Sequence, residues 1–384
     1  MREVAKVTSR ATQAQTQTTR QSNFELLRIL AMFMIVAHHM VRFASPGLES
    51  LPLDAKWLYF FTTETGGEVG VDIFLIISVW FLAGRAPTLK SSLRHVAKTE
   101  AVVLFYSIAL FVLSKYVFHL QDLPGRLALH SIAPTVTSLW WYITCYTLVV
   151  LASPFLIKGL RALGQTMHRQ LLFLELVVVS VLPMFDMVNL YVNAYVSLLA
   201  IVVMVAYVKW YPPAILERPA TPWLMSVAGL AASVLLGAVI RLLAECGIPF
   251  MTKDPMYWEW SPGSPLVLCE AFGLFLIFER LRLTNRAVNF VAKSTVGVYL
   301  IHEHPGMRVL LWQRWFPFDG VYGSGLFILA SLLVPTAIFV GCLAVDMGRR
   351  ALFSVASRSV RGARRRFAPA ASAADASHSA RNGG

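Results

Sequence analysis

Residues 23–42, NFELLRILAMFMIVAHHMVR, form a run that is almost wholly apolar, with Arg28 near its start and His38 and His39 near its end. A helix needs about 20 mainly apolar residues to cross the ~30 Å hydrocarbon core of a bilayer. Ionisable groups inside such a helix are costly and normally face a cavity or a partner. The stretch therefore predicts a membrane-spanning helix with polar chemistry inside a helix bundle.

The composition of the whole chain agrees with a membrane location. Of its 384 residues, 57% are hydrophobic and only 14% are charged, whereas soluble proteins carry about 25% charged residues. The net charge of +13 comes from basic residues spread over short loops, which is typical of membrane proteins and argues against nucleic-acid binding. The four cysteines lack the spacing of a zinc site or a disulfide framework, so we predict no metal.

Apolar runs of suitable length predict an all-α integral membrane protein with a bundle of about ten transmembrane helices. The glycines Gly66, Gly67 and Gly70 suggest an irregular start of the second span. The candidate spans are residues 24–43, 66–83, 99–118, 139–157, 171–188, 190–208, 223–244, 264–278, 294–312 and 324–346.

The distribution of lysine and arginine predicts the orientation of the chain. With the N-terminus inside, the inner segments hold 26 basic residues and the outer loops hold six, which by the positive-inside rule places both termini in the cytoplasm. Residues 1–22 are polar and lack the apolar core of a signal peptide, so we expect a disordered tail. We expect the transmembrane domain over 23–348 and a basic, disordered cytoplasmic tail over 349–384.

The first candidate site lies in the opening helix and the span that follows it. Arg28 and His39 are eleven positions apart, about three helical turns, and can project from one side. A neutral His39 can act as a general base; alternatively, His38 and His39 are interfacial residues without a catalytic role. Asp72 enters from the same outer side and can orient His39, or it can cap the second helix.

Cationic residues in the loop 84–98 form a second candidate site. Arg94 and Lys98 share a helix face at the expected cytoplasmic edge, and Arg85 lies close in sequence. Such an edge can hold phosphate groups, although any cytoplasmic loop is expected to be basic.

Two further stretches carry unusual side chains. Trp140, Trp141 and Tyr142 form either an interfacial aromatic belt or a stacking wall for a sugar ring or acyl chain. His302, Glu303 and His304 fall near mid-membrane just before Pro305 and Gly306, which suggests a helix break whose freed backbone lines a cavity. Polar contacts between helices are the alternative explanation for these three residues.

Four of these motifs, in this order, resemble the membrane acyltransferase-3 family from about Asn23 to Asp346, and most closely bacterial polysaccharide O-acetyltransferases. They are NFELLRILAMFMIVAHHM, GGEVGVDIFLIISVWFLAG, LWWYITCYTLVVLASPFL and STVGVYLIHEHP. The arginine and essential histidine of the family match Arg28 and His39, and its basic cluster matches Arg94, His95 and Lys98. The chain departs from the family at Lys98, where an arginine is expected, at Ser138, often a histidine, and at Val79, often a glycine.

The resemblance implies an enzyme of the bacterial cytoplasmic membrane that transfers an acyl group, most often acetyl from acetyl-CoA, to a hydroxyl of a surface or lipid-linked glycan. It implies His39 as the catalytic base, supported by Asp72, His302 and Glu303. Arg28, Arg85, Arg94 and Lys98 would hold the CoA end, and Trp140, Trp141 and Tyr142 would contact substrate. The alternative is a glycan exporter or flippase; a regulatory or scaffold protein would not need these polar groups in the membrane. The oligomeric state is not predicted.

Overall fold

The computed structural model describes residues 21–44, 51–184, 194–248, 263–317 and 319–366, which form helices and connecting turns without β-strands. The helices are α1 (Ser22–Ala44), α2 (Ala55–Ala83), α3 (Leu89–Val112), α4 (Leu127–Ile132), α5 (Trp141–Glu175), α6 (Ala194–Trp210), α7 (Ala214–Glu217), α8 (Thr221–Glu245), α9 (Pro265–Arg280), α10 (Arg286–Val291), α11 (Thr295–His302), α12 (Pro305–Arg308), α13 (Asp319–Tyr322) and α14 (Phe327–Arg366).

Six helices in the described part of the chain are long and apolar enough to cross a membrane. They are α1, α2, α3 with its π-helical extension, α5 with its π-helical extension, α8 and α14. The other predicted spans fall on the shorter α6 and α9, on the end of α5 with its π-helical extension, and on the pair α11 and α12. Residues 185–193, which overlap two of the predicted spans, lie outside the described residues. The all-helical membrane fold is therefore confirmed, whereas the count of ten spans and the cytoplasmic placement of both termini stay predictions.

Helix α1 lies at the centre of the bundle and contacts α2, α9, α11 and α14. It packs most closely on α2 because glycines remove the side chains that would hold the two helices apart. A β-carbon at Gly70 would lie 2.7 Å from the carbonyl oxygen of Ala31, and one at Gly67 would overlap the His38 ring. The expected irregular start at these glycines was wrong, because α2 runs unbroken through them.

The basic end of the bundle is the end where α1 begins and α2 and α9 finish. The Asn23 side-chain amide donates to the Phe278 carbonyl oxygen (2.9 Å), and Arg161 and Trp210 both donate to the Ala83 carbonyl oxygen (3.0 Å each). At the opposite end, the start of α2 meets the start of α14, where the Tyr59 hydroxyl donates to the Ser331 carbonyl oxygen (3.0 Å). The start of α1 therefore lies at the same end of the bundle as the ends of α2 and α9. This arrangement agrees with spans that run in alternating directions along the chain.

Two breaks interrupt the helices, and the second of them lies at the candidate site. Gly164 has φ +69° and interrupts α5, a backbone conformation that glycine adopts without steric cost. The predicted break at Pro305 is confirmed: α11 ends at His302, and α12 begins at Pro305, where the amide of Gly306 donates to His304 Nδ1 (3.2 Å). This second break leaves His302 and Glu303 at the end of a helix inside the bundle.

Helix α14 continues to Arg366, so the boundary expected at 349 lies within a helix. Of the expected N-terminal tail, residues 21 and 22 lead into α1, and 1–20 lie outside the described residues.

Candidate active site

His39 lies among charged and polar groups brought together from both ends of the sequence. His39 Nδ1 is 2.9 Å from His302 Nε2, and His39 Nε2 is 3.3 Å from a carboxylate oxygen of Glu303. All three residues are buried, His302 completely. A buried polar cluster at this position matches the expectation that His39, His302 and Glu303 line one site.

The hydrogen bonds of the cluster fix which nitrogen carries each proton. His302 Nδ1 is 2.6 Å from the carbonyl oxygen of Val298, which can only accept, so Nδ1 bears the proton and Nε2 is the acceptor of a neutral ring. His39 Nδ1–H then donates to His302 Nε2. The remaining nitrogen, His39 Nε2, lies 3.3 Å from a carboxylate oxygen of Glu303, so a proton taken up at this nitrogen would be paired with that carboxylate.

Arg308 completes the cluster from the side of Glu303. Its guanidinium donates to the second carboxylate oxygen of Glu303 and stacks over the Phe43 ring at 4.7 Å. A buried carboxylate is stabilised by such a charged partner. The relay therefore runs from Arg308 through Glu303 and His39 to His302, with the carbonyl of Val298 at its end.

The ligand atoms of His39, His302 and Glu303 lie within 4.8 Å of one another and are of types that hold metal ions. However, His302 and Glu303 face opposite nitrogens of the His39 ring. One ion that contacts all three residues would compete with the hydrogen bond between His39 and His302. As it stands, the arrangement is a hydrogen bond from His39 to His302 followed by the contacts of Glu303 with His39 and Arg308.

The other two histidines of the candidate motifs have local structural partners. His38 Nδ1 donates to the carbonyl oxygen of Glu64 (2.7 Å), whose carboxylate pairs with Arg42 (3.1 Å). His304 caps α12 and lies against the Trp140 ring, with 5.9 Å between ring centroids. Trp140 is buried in this contact and does not line the cavities described below, so of the aromatic triplet only its two neighbours do.

Asp72 does not contact His39, and the expected Asp72–His39 pair was wrong. Its carboxylate accepts from the backbone amide of Gly263 (3.3 Å), and its other oxygen has no partner in the described part of the chain. Asp54, whose side chain accepts from the amides of Lys56 and Trp57, caps α2 instead, so the capping alternative for Asp72 was wrong as well. Asp72 lies on a different face of α2 from Gly67, Val71 and Phe74, which face the site.

The histidine cavity is a space of about 70 Å³ beside His39. Its walls are mainly aromatic and apolar residues, of which Trp141 and Tyr142 are half-buried and Phe74 and Tyr299 buried, with the His39 ring at one side. It is lined by Met32, Ile35, His38 and His39 of α1, by Gly67, Glu68, Val71 and Phe74 of α2, by Trp141, Tyr142 and Ile143 of α5, and by Val296 and Tyr299 of α11.

The basic cavity is a larger space of about 450 Å³ toward the basic end. Four cations line it: Arg28, Lys98, Lys293 and Arg349. Glu25 pairs with Arg28 (3.0 Å) and Asp346 pairs with Arg349 (2.8 Å), which leaves the charges of two lysines without an acidic partner among the described residues. Such a surplus of positive charge favours an anionic ligand.

The two cavities share part of their walls. Phe74, Tyr142, Ile143 and Val296 line both. Tyr142 is held between Tyr146, whose ring is stacked at a centroid distance of 6.1 Å, and Tyr299, whose ring edge meets it at 6.2 Å. The site is therefore a wide basic cavity that adjoins a narrow one ending at His39.

Of the four cations predicted to hold the donor, Arg28 and Lys98 line the basic cavity, whereas Arg85 and Arg94 are exposed and do not. Sequence reasoning missed Lys293, in the turn before α11, and Arg349, in α14, which also line this cavity. Asp346 holds the Arg349 guanidinium and also accepts from the Tyr106 hydroxyl (2.8 Å). Their position at the inner ends of two predicted spans was the available signal.

A family model described as an acyltransferase domain matches residues 21–346, which is most of the chain. Neither the comparison with curated proteins nor the comparison with solved structures gave a match. The matched range contains α1 to α13 and the part of α14 that carries Asp346, and with them every residue of the relay. The chain belongs to the acyltransferase-3 family and is a multi-pass membrane acyltransferase.

Proposed function

We propose that this enzyme transfers an acetyl group from acetyl-CoA, bound at the basic end, to a hydroxyl of a cell-surface or lipid-linked polysaccharide. The observation that carries the proposal is the pair of adjoining cavities, one basic and one ending at His39. A donor whose charged part lies in the first can present its acyl group in the second.

Support for a CoA thioester comes from the shape and charge of the basic cavity. About 450 Å³ lies within the usual range of ligand pockets. Cations there can pair with phosphates, which bind lysine and arginine through charge-assisted hydrogen bonds. The adjoining cavity is too narrow for a nucleotide and admits only a slender group.

His39 is the residue we propose as general base. Its Nε2 would accept the proton of the acceptor hydroxyl while the hydroxyl oxygen bonds to the thioester carbonyl carbon. The carbon–sulfur bond then breaks, and the proton passes to the leaving sulfur, giving the ester and free CoA. If His39 instead carries the acyl group for a moment before the hydroxyl takes it, the products are again the ester and free CoA. Glu303, its charge offset by Arg308, would stabilise the protonated ring.

The alternative of a glycan exporter receives less support. A passage for sugar does not need the two lysines of the basic cavity, which lack acidic partners in the described part of the chain and suit an anionic donor. The family model is that of an acyltransferase.

Mass spectrometry of envelope glycan tests the proposal. Bacterial cells lacking the protein should yield glycan lighter by one acetyl unit per modified residue, and cells carrying the His39→Gln variant should yield the same product. Unchanged acylation would contradict the proposal. Loss of the glycan from the cell surface, rather than loss of its acetyl groups, would favour the exporter.

A further inference from the structure

We propose that Ile35, together with Met32 and Phe74, sets the largest acyl group that this enzyme can transfer. The inference rests on the proposed function and adds the residues that decide between acyl donors. It follows from the size and the stiffness of the histidine cavity.

The three side chains form the apolar side of the histidine cavity next to the base. Met32, Ile35 and His39 are three and four positions apart on α1, so they share one face of the helix. Phe74 projects from α2 on the stripe that also carries Gly67 and Val71. An acyl carbon within reach of His39 would therefore lie against these side chains on its apolar side.

The free volume of the cavity matches a short acyl group. About 70 Å³ at roughly 25 Å³ per non-hydrogen atom holds about three atoms, the number in an acetyl group. A butyryl group has five and a succinyl group seven. The value per atom is that of benzene in an engineered cavity of about 150 Å³. Longer groups exceed this volume and would press on Met32, Ile35 and Phe74.

The walls have little freedom to move. Met32, Ile35 and Phe74 are at least nine-tenths buried, and the Ile35 side chain lies against Gly70, where a β-carbon would be 3.0 Å from it. Because α1 and α2 are in backbone contact at this point, displacing Ile35 would separate two closely packed helices. Trp141 and Tyr142 close the other side, and Tyr142 is itself held between two tyrosine rings.

The experiment uses inside-out membrane vesicles containing the full-length protein and envelope glycan as acceptor. Radiolabelled acetyl-CoA, butyryl-CoA and hexanoyl-CoA are supplied in turn, and label in the glycan is counted. We expect the unaltered enzyme to transfer butyryl at least ~10-fold more slowly than acetyl, since one surplus methylene costs about 10-fold or more in a tight pocket.

Ile35→Ala removes three carbons and enlarges the cavity to about six atoms. We therefore expect the butyryl-to-acetyl ratio to rise at least ~10-fold, with hexanoyl still excluded. Met32→Ala also removes three side-chain atoms, and methionine packs more flexibly than isoleucine. This variant replaces Ile35→Ala if that protein fails to insert into the membrane. Val71→Leu works in the opposite direction, because one added carbon leaves room for about two atoms, and it should slow acetyl transfer.

Ile76→Ala is the matched control, since Ile76 is a buried isoleucine of α2 that lines neither cavity. Its butyryl-to-acetyl ratio should equal that of the unaltered enzyme. Equal transfer of acetyl and butyryl by the unaltered enzyme would overturn the size limit while leaving the transfer reaction intact. An unchanged ratio in both enlarged variants would do the same. Absence of transfer from every donor would instead contradict the proposed function.

Discussion

The two adjoining cavities differ in almost every physical property. The basic cavity is about 450 Å³ and has charged walls, half of whose cations are held by acidic partners. The histidine cavity is about 70 Å³ and is mainly apolar and aromatic. The first is suited to holding a large anion in a range of positions, and the second to holding a few atoms in one position.

The difference indicates a separation of tasks along the bundle. Groups in the basic cavity would contact the part of the donor that does not react, so their removal should weaken binding in the ground state and the transition state alike. Groups around His39 would instead stabilise the transition state more than the bound substrates. Changes in the two cavities should therefore separate into effects on KM and effects on kcat, and the predictions below test that separation.

The largest effect is expected for His39→Gln. Glutamine keeps a polar side chain of similar size but cannot accept a proton, so kcat should fall by about 10³-fold, within the range for loss of a general base, while KM for acetyl-CoA stays within about twofold. Label transfer from acetyl-CoA to glycan in vesicles measures both constants.

His168→Gln is the matched control, because His168 is a fully buried histidine of α5 that donates to the Val203 carbonyl oxygen and lines neither cavity. Its kcat should remain within about threefold of the unaltered enzyme. A fall as deep as that of His39→Gln would show that any loss of a buried histidine disrupts the bundle.

Glu303→Gln should lower kcat by about 10²-fold. The amide preserves the shape of the carboxylate but removes the charge that stabilises protonated His39, and it leaves Arg308 without its acidic partner. The double variant His39→Gln, Glu303→Gln should be no slower than His39→Gln alone, because residues that act as a unit are not additive. Additive losses of kcat would show that His39 and Glu303 act independently.

Lys98→Ala and Lys293→Ala should each raise KM for acetyl-CoA by about 10-fold with kcat nearly unchanged. A hydrogen bond to a charged group contributes about 1.5–3 kcal/mol, and about 1.4 kcal/mol corresponds to tenfold. A fall in kcat at constant KM would remove these lysines from donor binding.

Arg85→Ala and Arg94→Ala should raise KM by no more than about threefold, because both residues are exposed and lie outside the cavity wall. The contrast between Arg94 and Lys98, one helical turn apart, is the sharper measurement. An equal rise in KM for both variants would show that the donor also contacts the exposed residues of the loop 84–98.

The smallest effect is expected for chelation. EDTA or 1,10-phenanthroline added to vesicles opened at both faces should leave transfer unchanged, since His39 needs its two nitrogens for different partners. Loss of activity that zinc restores would assign the cluster to a metal ion.

Much of this architecture is encoded locally and could be predicted from the sequence. The spans follow from runs of apolar residues, and the break at Pro305 follows from its missing amide. Ionisable groups inside apolar runs singled out His39, His302 and Glu303 as candidates, because such groups need partners in a membrane.

Rotation of helices about their axes could not be predicted in the same way. Asp72 is one position from Val71, yet it faces Gly263 rather than His39, and an apolar helix that is buried on most sides gives no signal of which face meets which neighbour. For the same reason Lys293 and Arg349 looked like ordinary residues of basic loops. Only the packing of α11 and α14 brings them to one cavity.

His39 and its partner His302 are separated by 263 positions in the chain. During synthesis at the ribosome, α1 and α2 can pair early through their glycines, but His302 follows His39 only after 263 positions. A chain that stops short of α11 therefore carries the His39 imidazole without the partners that position it.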